Sequence, residues 1–195
     1  MKRQFLTAPN QLTLLRLLFI PLVTVCVLEG RYRPALLFFV LAGVSDALDG
    51  LLARLLNQRT TLGEHLDPLA DKLLLSTLFL TLSFVHQIPW RCTVLVFSRD
   101  LSILAVSAVL YATTTLRNFR PSIFGKVNTM TQILAVIFVL LANISPWRWI
   151  PIGRECFLWM TMAFTILSGV HYIYLTGDRL RAADSKGAAQ VAAKK

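Results

Sequence analysis

Long apolar runs alternate with short polar segments along almost the whole chain. An α-helix needs about 20 residues to cross a bilayer. Each run, such as LLFFVLAGV, approaches this length when its flanking residues are included. The pattern predicts an all-α, polytopic membrane protein with six transmembrane helices. We place these spans at approximately 11–29, 34–55, 66–86, 92–114, 127–145 and 155–176. Because the connections are short, residues 1–180 are expected to form a single domain.

Four carboxylates interrupt this pattern between the second and third predicted spans. They are Asp46, Asp49, Asp67 and Asp71, all within 26 residues. A carboxylate at membrane depth costs roughly 2.5–3.5 kcal/mol on insertion scales. Such a cluster requires a strong compensating charge, and divalent metal is the obvious candidate.

The spacing of the aspartates predicts that they converge. Asp46 and Asp49 are three residues apart and Asp67 and Asp71 are four apart, so each pair shares a helix face. The connection between the two helices is short, which makes them antiparallel neighbours with both pairs near one end. Two carboxylate pairs on facing helices suit a two-metal site. Ligands that are all oxygen favour Mg²⁺ or Mn²⁺ over zinc.

Small and basic residues lie beside these carboxylates. Gly50 and Ala53 let another group approach the helix closely, either a bound nucleotide or simply a neighbouring helix. Arg54 is placed either to contact a phosphate or to anchor a helix end in the cytoplasm. Gly63 either opens the third helix, where backbone N–H groups serve an anion, or is an ordinary turn glycine.

The positive charge is distributed unequally. The chain is 55% hydrophobic and carries a net charge of +10. An even number of spans puts both termini on one side, where basic residues are more numerous, and the positive-inside rule makes that side cytoplasmic. This basic face suits anionic membrane lipid, whereas no basic-aromatic module indicates a nucleic-acid partner. The terminal side has Lys2, Arg3, Arg54, Arg59, Arg117, Arg120, Lys126, Arg179, Arg181, Lys186, Lys194 and Lys195, against Arg31, Arg33, Arg91, Arg148 and Arg154 opposite.

The two ends of the chain are predicted to differ, with an apolar span near the start and a basic tail at the end. The first apolar run lacks a following small-residue cleavage site, so we expect a retained span. The absence of a transit-peptide pattern favours a bacterial inner membrane. The final segment, 181–195, is low in complexity and is expected to form a disordered, basic cytoplasmic tail.

Read together, the motif residues spell D-x2-D-G-x2-A-R-x8-G-x3-D-x3-D. This pattern of eight defined positions at fixed spacing resembles the signature of the CDP-alcohol phosphatidyltransferases, without a departure. The resemblance extends over most of the chain. PNQLTLLRLLFIPL resembles the opening helix of the family, DPLADKLLL continues the signature, and FGKVNTMTQ resembles a later segment.

The resemblance implies a six-helix, homodimeric membrane enzyme that transfers the phosphatidyl group of CDP-diacylglycerol to an alcohol and releases CMP. Its site would face the cytoplasm and use two Mg²⁺ or Mn²⁺ ions. The metal ligands would be Asp46, Asp49, Asp67 and Asp71, with Asp71 also the general base. The residues around the CDP moiety would be Gly50, Ala53, Arg54 and Gly63, with Thr13 and Arg16 of the first helix nearby.

The acceptor alcohol is inferred from two positions at which this chain differs from family enzymes that use glycerol 3-phosphate. Family enzymes that use glycerol 3-phosphate often carry G-K-x-K-T, but Asn128 here replaces the second lysine. A further arginine of those enzymes is replaced by Val106. Losing two cations weakens a pocket for a phosphate dianion. Since RPSIFGKVNTMTQ and Ser98-Arg99-Asp100 resemble eukaryotic-type cardiolipin synthases, we favour phosphatidylglycerol, with glycerol 3-phosphate as the alternative.

Four residues are candidates for binding the acceptor: Arg99, Arg120, Lys126 and Asn128. For Arg99, which adjoins Asp100, an ion pair with that aspartate or a snorkelling position is an equal alternative. Lys126 and Arg120, taken singly, are also typical of lipid-headgroup anchors.

Two other classes of membrane protein use intramembrane carboxylates. A prenyltransferase would need about nine spans, whereas six are predicted here. It would also need a second aspartate motif, and none follows Asp71. A cation transporter uses carboxylates along an ion pathway, but it would not require the glycine, alanine and arginine positions at fixed spacing.

Overall fold

The fold comes from a computed structural model, which describes residues 8–55, 61–113 and 123–192. Side-chain surroundings are described for residues 15–45, 48, 72–105 and 123–171. Within these ranges all of the regular structure is helical, as the apolar pattern predicts. The helices are α1 (Ala8–Leu28), α2 (Tyr32–Leu55), α3 (Thr61–Phe84), α4 (Trp90–Thr113), α5 (Ile123–Ala142) and α6 (Trp149–Ala192).

Two of the turns end their helices with the same hydrogen-bond pattern. After α1, Gly30 has a φ of 71° and donates its N–H to the carbonyl of Val27, while Arg31 donates to Cys26. This is a Schellman cap, which requires a left-handed residue at its centre. His86, with a φ of 59°, takes the central position after α3. These caps reverse the chain within a few residues.

The short connections gather at one end of the bundle. They comprise residues 29–31, 85–89 and 143–148, and Asn143 Nδ2 donates to Gln87 Oε1 at 2.9 Å across two of them. We call this the turn end. Because consecutive helices run antiparallel, the last residues of α2 and the first residues of α3 lie at the opposite end, which we call the signature end.

The helices pack as two groups of three. α1 lies against α2 and α3, and α6 lies against α4 and α5. α5 joins the groups by contacting α2 and α3, and α3 also contacts α4. The buried apolar core follows this arrangement, with members from every helix. It comprises Val23, Val27, Ala35, Phe39, Ala42, Leu74, Leu75, Leu78, Phe79, Leu82, Ile88, Cys92, Val96, Ala135, Val136, Val139, Leu140 and Leu158.

Two helices are long and apolar enough to span a membrane, judged from the described residues. They are Ile123–Ala142 in α5 and Trp149–His171 in α6. Shorter apolar stretches lie in three other helices, at Leu15–Leu28, Tyr32–Ser45 and Lys72–Phe84. The described part of the chain therefore contains six helices, of which two meet the criterion for a span by themselves.

Helix boundaries differ from the sequence prediction in two places. α3 begins at Thr61, five residues before the predicted span, so Gly63 lies in its first turn. α6 continues to Ala192, sixteen residues beyond the predicted end of the sixth span at residue 176. The physical reason is that this segment is rich in alanine, lysine and arginine. These residues have high helix propensity and extend an existing helix without a new nucleus.

Candidate active site

The signature residues occupy α2 and α3, towards the signature end of each helix. Asp46 and Asp49 lie in the second half of α2, and Asp67 and Asp71 lie in the first half of α3. The predicted helical setting of both pairs is confirmed. Their side chains, and those of Gly50, Ala53, Arg54, Gly63 and Thr13, lie outside the described side-chain surroundings, so the roles assigned to them stay predictions.

An apolar groove points towards these carboxylates. It is a partly open cavity of about 340 Å³ between α2, α3 and α5, and Val44 and Leu74 are among its lining residues. Asp46 follows Val44 by two residues and Asp71 precedes Leu74 by three. Since α2 runs towards the signature end and α3 runs away from it, both steps lead in the same direction. The two aspartate pairs are therefore placed just beyond one end of the groove.

This placement bears on whether the chain can hold divalent metal. Two helices that line one groove each carry a carboxylate pair at the same end, and carboxylate oxygen is the ligand that Mg²⁺ and Mn²⁺ prefer. The donor set thus fits the predicted ions. Among the described side chains no group of three His, Cys, Asp or Glu could hold a metal ion.

A charged network links α3, α4 and α6 beside this region. Asp100 Oδ1 lies 2.6 Å from Arg99 Nη1 and 2.6 Å from Lys72 Nζ. Arg99 also donates from Nε and Nη2 to Ser168 Oγ, at 3.2 and 2.7 Å. The predicted ion pair between Arg99 and Asp100 is confirmed. Asp100 of α4 also pairs with Lys72, which directly follows Asp71 in α3. The network therefore reaches the turn of α3 that carries the predicted base.

Two of the three remaining acceptor candidates are described, and they lie in different environments. Asn128 is fully buried, and its Oδ1 accepts a hydrogen bond of 2.9 Å from Thr165 Oγ1 of α6. Lys126 is exposed near the start of α5. Arg120 lies outside the described residues. The structure therefore gives Asn128 a helix-packing contact and leaves its predicted role in acceptor binding a prediction.

Buried polar side chains continue from Asn128 along the contact between α5 and α6. Gln132 lies one turn further along α5, Thr161 lies one turn before Thr165, and both are almost completely buried. Within the described part of the chain, Asn128 Nδ2, Gln132 Nε2 and Thr161 Oγ1 have no hydrogen-bond partner. A buried donor without a partner costs about 1–3 kcal/mol. This contact is therefore held by packing rather than by a completed polar network.

Arg16 shows that α1 contributes charge to the interior. Its side chain is 0% exposed, in a helix that packs against both α2 and α3. A fully buried guanidinium is stable only where anionic or polar groups compensate its charge. This burial supports the expectation that α1 borders the site.

Sequence reasoning missed three residues of the charged network as site candidates: Lys72, Asp100 and Ser168. Lys72 offered a signal, because it adjoins a signature aspartate and its charge directly precedes the long apolar run of α3. Asp100 was considered only as a partner of Arg99. Ser168 offered none, since a serine in an apolar helix is common and only the fold brings it to Arg99.

This chain is similar to known proteins over most of its length. Residues 6–167 match the family model of the CDP-alcohol phosphatidyltransferases. The chain is 35% identical over 192 residues to the human protein called cardiolipin synthase (CMP-forming), covering 89% of this chain and 62% of the human protein. It is 30% identical over 189 residues to the Bacillus subtilis CDP-diacylglycerol--glycerol-3-phosphate 3-phosphatidyltransferase, covering 89% of this chain and 96% of that protein.

The family match extends from α1 into α6 and includes the whole signature. The chain belongs to the CDP-alcohol phosphatidyltransferase family. It spans about 62% of the length of the human and rat cardiolipin synthases that it matches.

Proposed function

We propose that this protein is a membrane enzyme that transfers the phosphatidyl group of CDP-diacylglycerol to an alcohol, with release of CMP. The observation that carries this proposal is the complete eight-position signature on α2 and α3, at the end of an apolar groove. The nucleotide would lie over Gly50, Ala53 and Gly63, where small residues leave room against the helices, and Arg54 would contact a phosphate.

The four aspartates would hold two divalent ions. Such ions, when bound, neutralise the diphosphate and stabilise the leaving CMP. Asp71 would accept the proton of the acceptor hydroxyl at its carboxylate oxygen as that hydroxyl attacks phosphorus.

The preferred acceptor is phosphatidylglycerol, which would give cardiolipin. Position 128, where a lysine would serve a phosphate dianion, holds a neutral asparagine that is buried against Thr165. The position of the second cation is Val106 in α4. A pocket with fewer cations suits the single negative charge of a phosphodiester. The identity to human cardiolipin synthase supports the same choice.

Glycerol 3-phosphate is the second candidate. The observation that favours it is the match to the Bacillus subtilis enzyme named for this acceptor, which extends over 96% of that protein. The product would then be phosphatidylglycerophosphate. Both acceptors require the same signature and the same transfer chemistry. The two candidate functions therefore differ only in the residues that bind the acceptor.

The proposed setting is a bilayer crossed by all six helices, with the signature end in the cytoplasm. Large apolar side chains cover the outside of the bundle, such as Leu18 at 64% exposure and Leu101 at 69%. Exposed tryptophans near the turn end, Trp90, Trp147 and Trp149, suit the opposite membrane interface. A bacterial inner membrane and a homodimer are part of the proposal.

A product assay on the purified protein tests both the reaction and the acceptor. CDP-diacylglycerol and Mg²⁺ or Mn²⁺ are supplied with phosphatidylglycerol or with glycerol 3-phosphate, and the lipids are identified by mass spectrometry. We expect CMP and cardiolipin from the first mixture. Phosphatidylglycerophosphate from the second mixture alone would establish the alternative acceptor. CMP release with neither lipid would refute both acceptors.

The apolar groove is proposed to hold an acyl chain of CDP-diacylglycerol. A Cβ at Gly43 meets no atom within 4 Å, so Gly43→Leu fills the groove without a backbone clash. We expect the KM for CDP-diacylglycerol to rise roughly five- to tenfold and the KM for the acceptor to stay unchanged. Kinetics with long-chain and short-chain CDP-lipids measure this, and the long chains should be affected more.

Gly169→Leu in α6 is the matched control. A Cβ there also meets no atom within 4 Å, but the position lies outside the groove. Equal effects of the two substitutions, or no effect of Gly43→Leu, would contradict the assignment of the groove to an acyl chain.

A further inference from the structure

Lys72 and Asp100 lie outside the eight-position signature, yet they connect it to Arg99. Lys72 extends from α3, and Arg99 and Asp100 extend from α4. Both cations lie 2.6 Å from a single oxygen, Asp100 Oδ1. The two cationic nitrogens are therefore within about 5 Å of each other, close enough to bind one phosphate group together.

The two cations differ in how firmly they are held. The Arg99 side chain is 8% exposed, and its described contacts occupy Nη1 with Asp100 and both Nε and Nη2 with Ser168. The Lys72 side chain is 38% exposed, and its ammonium makes one described contact, to Asp100. Since an ammonium has three donors, Lys72 retains donors for a ligand. Arg99 is thus the fixed cation and Lys72 the accessible one.

The charges of these three side chains have a definite sum. Two cations and one carboxylate leave one net positive charge, and burial of Asp100 at 10% side-chain exposure strengthens each interaction over its value in water. A site with one net charge complements a phosphodiester, which carries one negative charge. It complements a phosphomonoester dianion less well, because Asp100 would repel the second charge.

We propose that Lys72, Arg99 and Asp100 form the acceptor-phosphate clamp of this enzyme, in which Asp100 positions both cations and favours a phosphodiester acceptor over a phosphomonoester. Lys72 follows the predicted base Asp71 directly in sequence, so the clamp reaches the turn of α3 that carries this aspartate. The inference rests on the proposed function, because it assumes an acceptor that carries a phosphate group. It adds Lys72 as a binding residue and Asp100 as a positioning residue.

Two substitutions test the clamp on the full chain. Lys72→Gln should raise the KM for phosphatidylglycerol about tenfold and leave the KM for CDP-diacylglycerol unchanged, whereas Lys72→Arg should restore most of the affinity. Asp100→Asn should lower kcat/KM for phosphatidylglycerol and shift the ratio of kcat/KM values about tenfold towards glycerol 3-phosphate. A merely structural role of Asp100 would lower both values equally and leave the ratio unchanged.

Arg31→Gln is the matched control. It also removes a cation that is paired with a carboxylate, since Arg31 Nε lies 3.3 Å from Glu29 Oε2, but it does so at the turn end. It should change neither KM. Because Lys72 is partly exposed, Lys72→Gln keeps the test decisive even where Asp100→Asn fails to fold.

Calorimetric titration with dihexanoylphosphatidylglycerol and glycerol 3-phosphate separates this inference from the proposed function. Weaker binding of both probes to Lys72→Gln, in a protein that makes neither lipid product, would support the clamp and refute the proposed acceptors. Normal lipid synthesis together with unchanged acceptor KM in Lys72→Gln would refute the clamp and leave the function standing. An unchanged acceptor ratio in Asp100→Asn would refute its part in selectivity.

Discussion

Asp71→Asn is expected to stop turnover. The substitution keeps the shape of the side chain and one carbonyl oxygen, but it removes the group that would accept the proton of the acceptor hydroxyl. A positioned general base contributes about 10²–10⁴-fold to a rate, so kcat should fall by at least this range. CMP release measured with saturating CDP-diacylglycerol and acceptor tests this directly. Binding of CDP-diacylglycerol with metal should be retained at least in part.

Glu29→Gln provides the comparison for this loss. Glu29 is an exposed carboxylate at the turn end, where it pairs with Arg31. Its replacement removes the same charge at the far end of the bundle and should leave kcat unchanged. Full activity of Asp71→Asn would refute the role of Asp71 as base. Loss of CDP-lipid binding together with turnover would show that Asp71 acts through binding instead.

The sequence predicted the helices well because each helix is an apolar run bounded by turn residues. Gly30, for example, marks the end of α1 by the left-handed conformation that its cap requires. Apolar runs were a poor guide where a helix continues into polar sequence, as in the last part of α6. At the start of α3, Thr61 and Glu64 have the spacing of a capping box, a polar signal that hydropathy does not include.

Site residues could be predicted from the sequence where residues of the same chemical type lie at helical spacing within one helix. The aspartate pairs are of this kind, since their three- and four-residue spacings need only helical geometry. The contact between Lys72 and Asp100 and the contact between Arg99 and Ser168 each join different helices. Such contacts depend on how the helices rotate and cross, which neither composition nor spacing specifies. The same limit applies to Asn128, whose partner on α6 is 37 residues away.

Removal of divalent metal is expected to abolish turnover as completely as Asp71→Asn. Four carboxylates near one end of the bundle repel one another unless cations compensate them. Activity should vanish with excess chelator and return with Mg²⁺ or Mn²⁺. The protein should also unfold at a lower temperature without metal, because a ligand that binds only the folded state stabilises it. Paramagnetic resonance of added Mn²⁺ counts the bound ions, and two are expected per chain.

Asp49→Asn tests the predicted metal dependence at a single ligand. It replaces one anionic ligand by a neutral one, so we expect weaker Mn²⁺ binding and a smaller thermal shift on adding metal. The rate should fall by a factor of at least about 10². Glu155→Gln, a carboxylate on the first turns of α6 at the turn end, should change none of these. If the chelated protein stays active, the aspartates act without metal. If activity needs metal but Asp49→Asn binds it normally, the ions are held elsewhere.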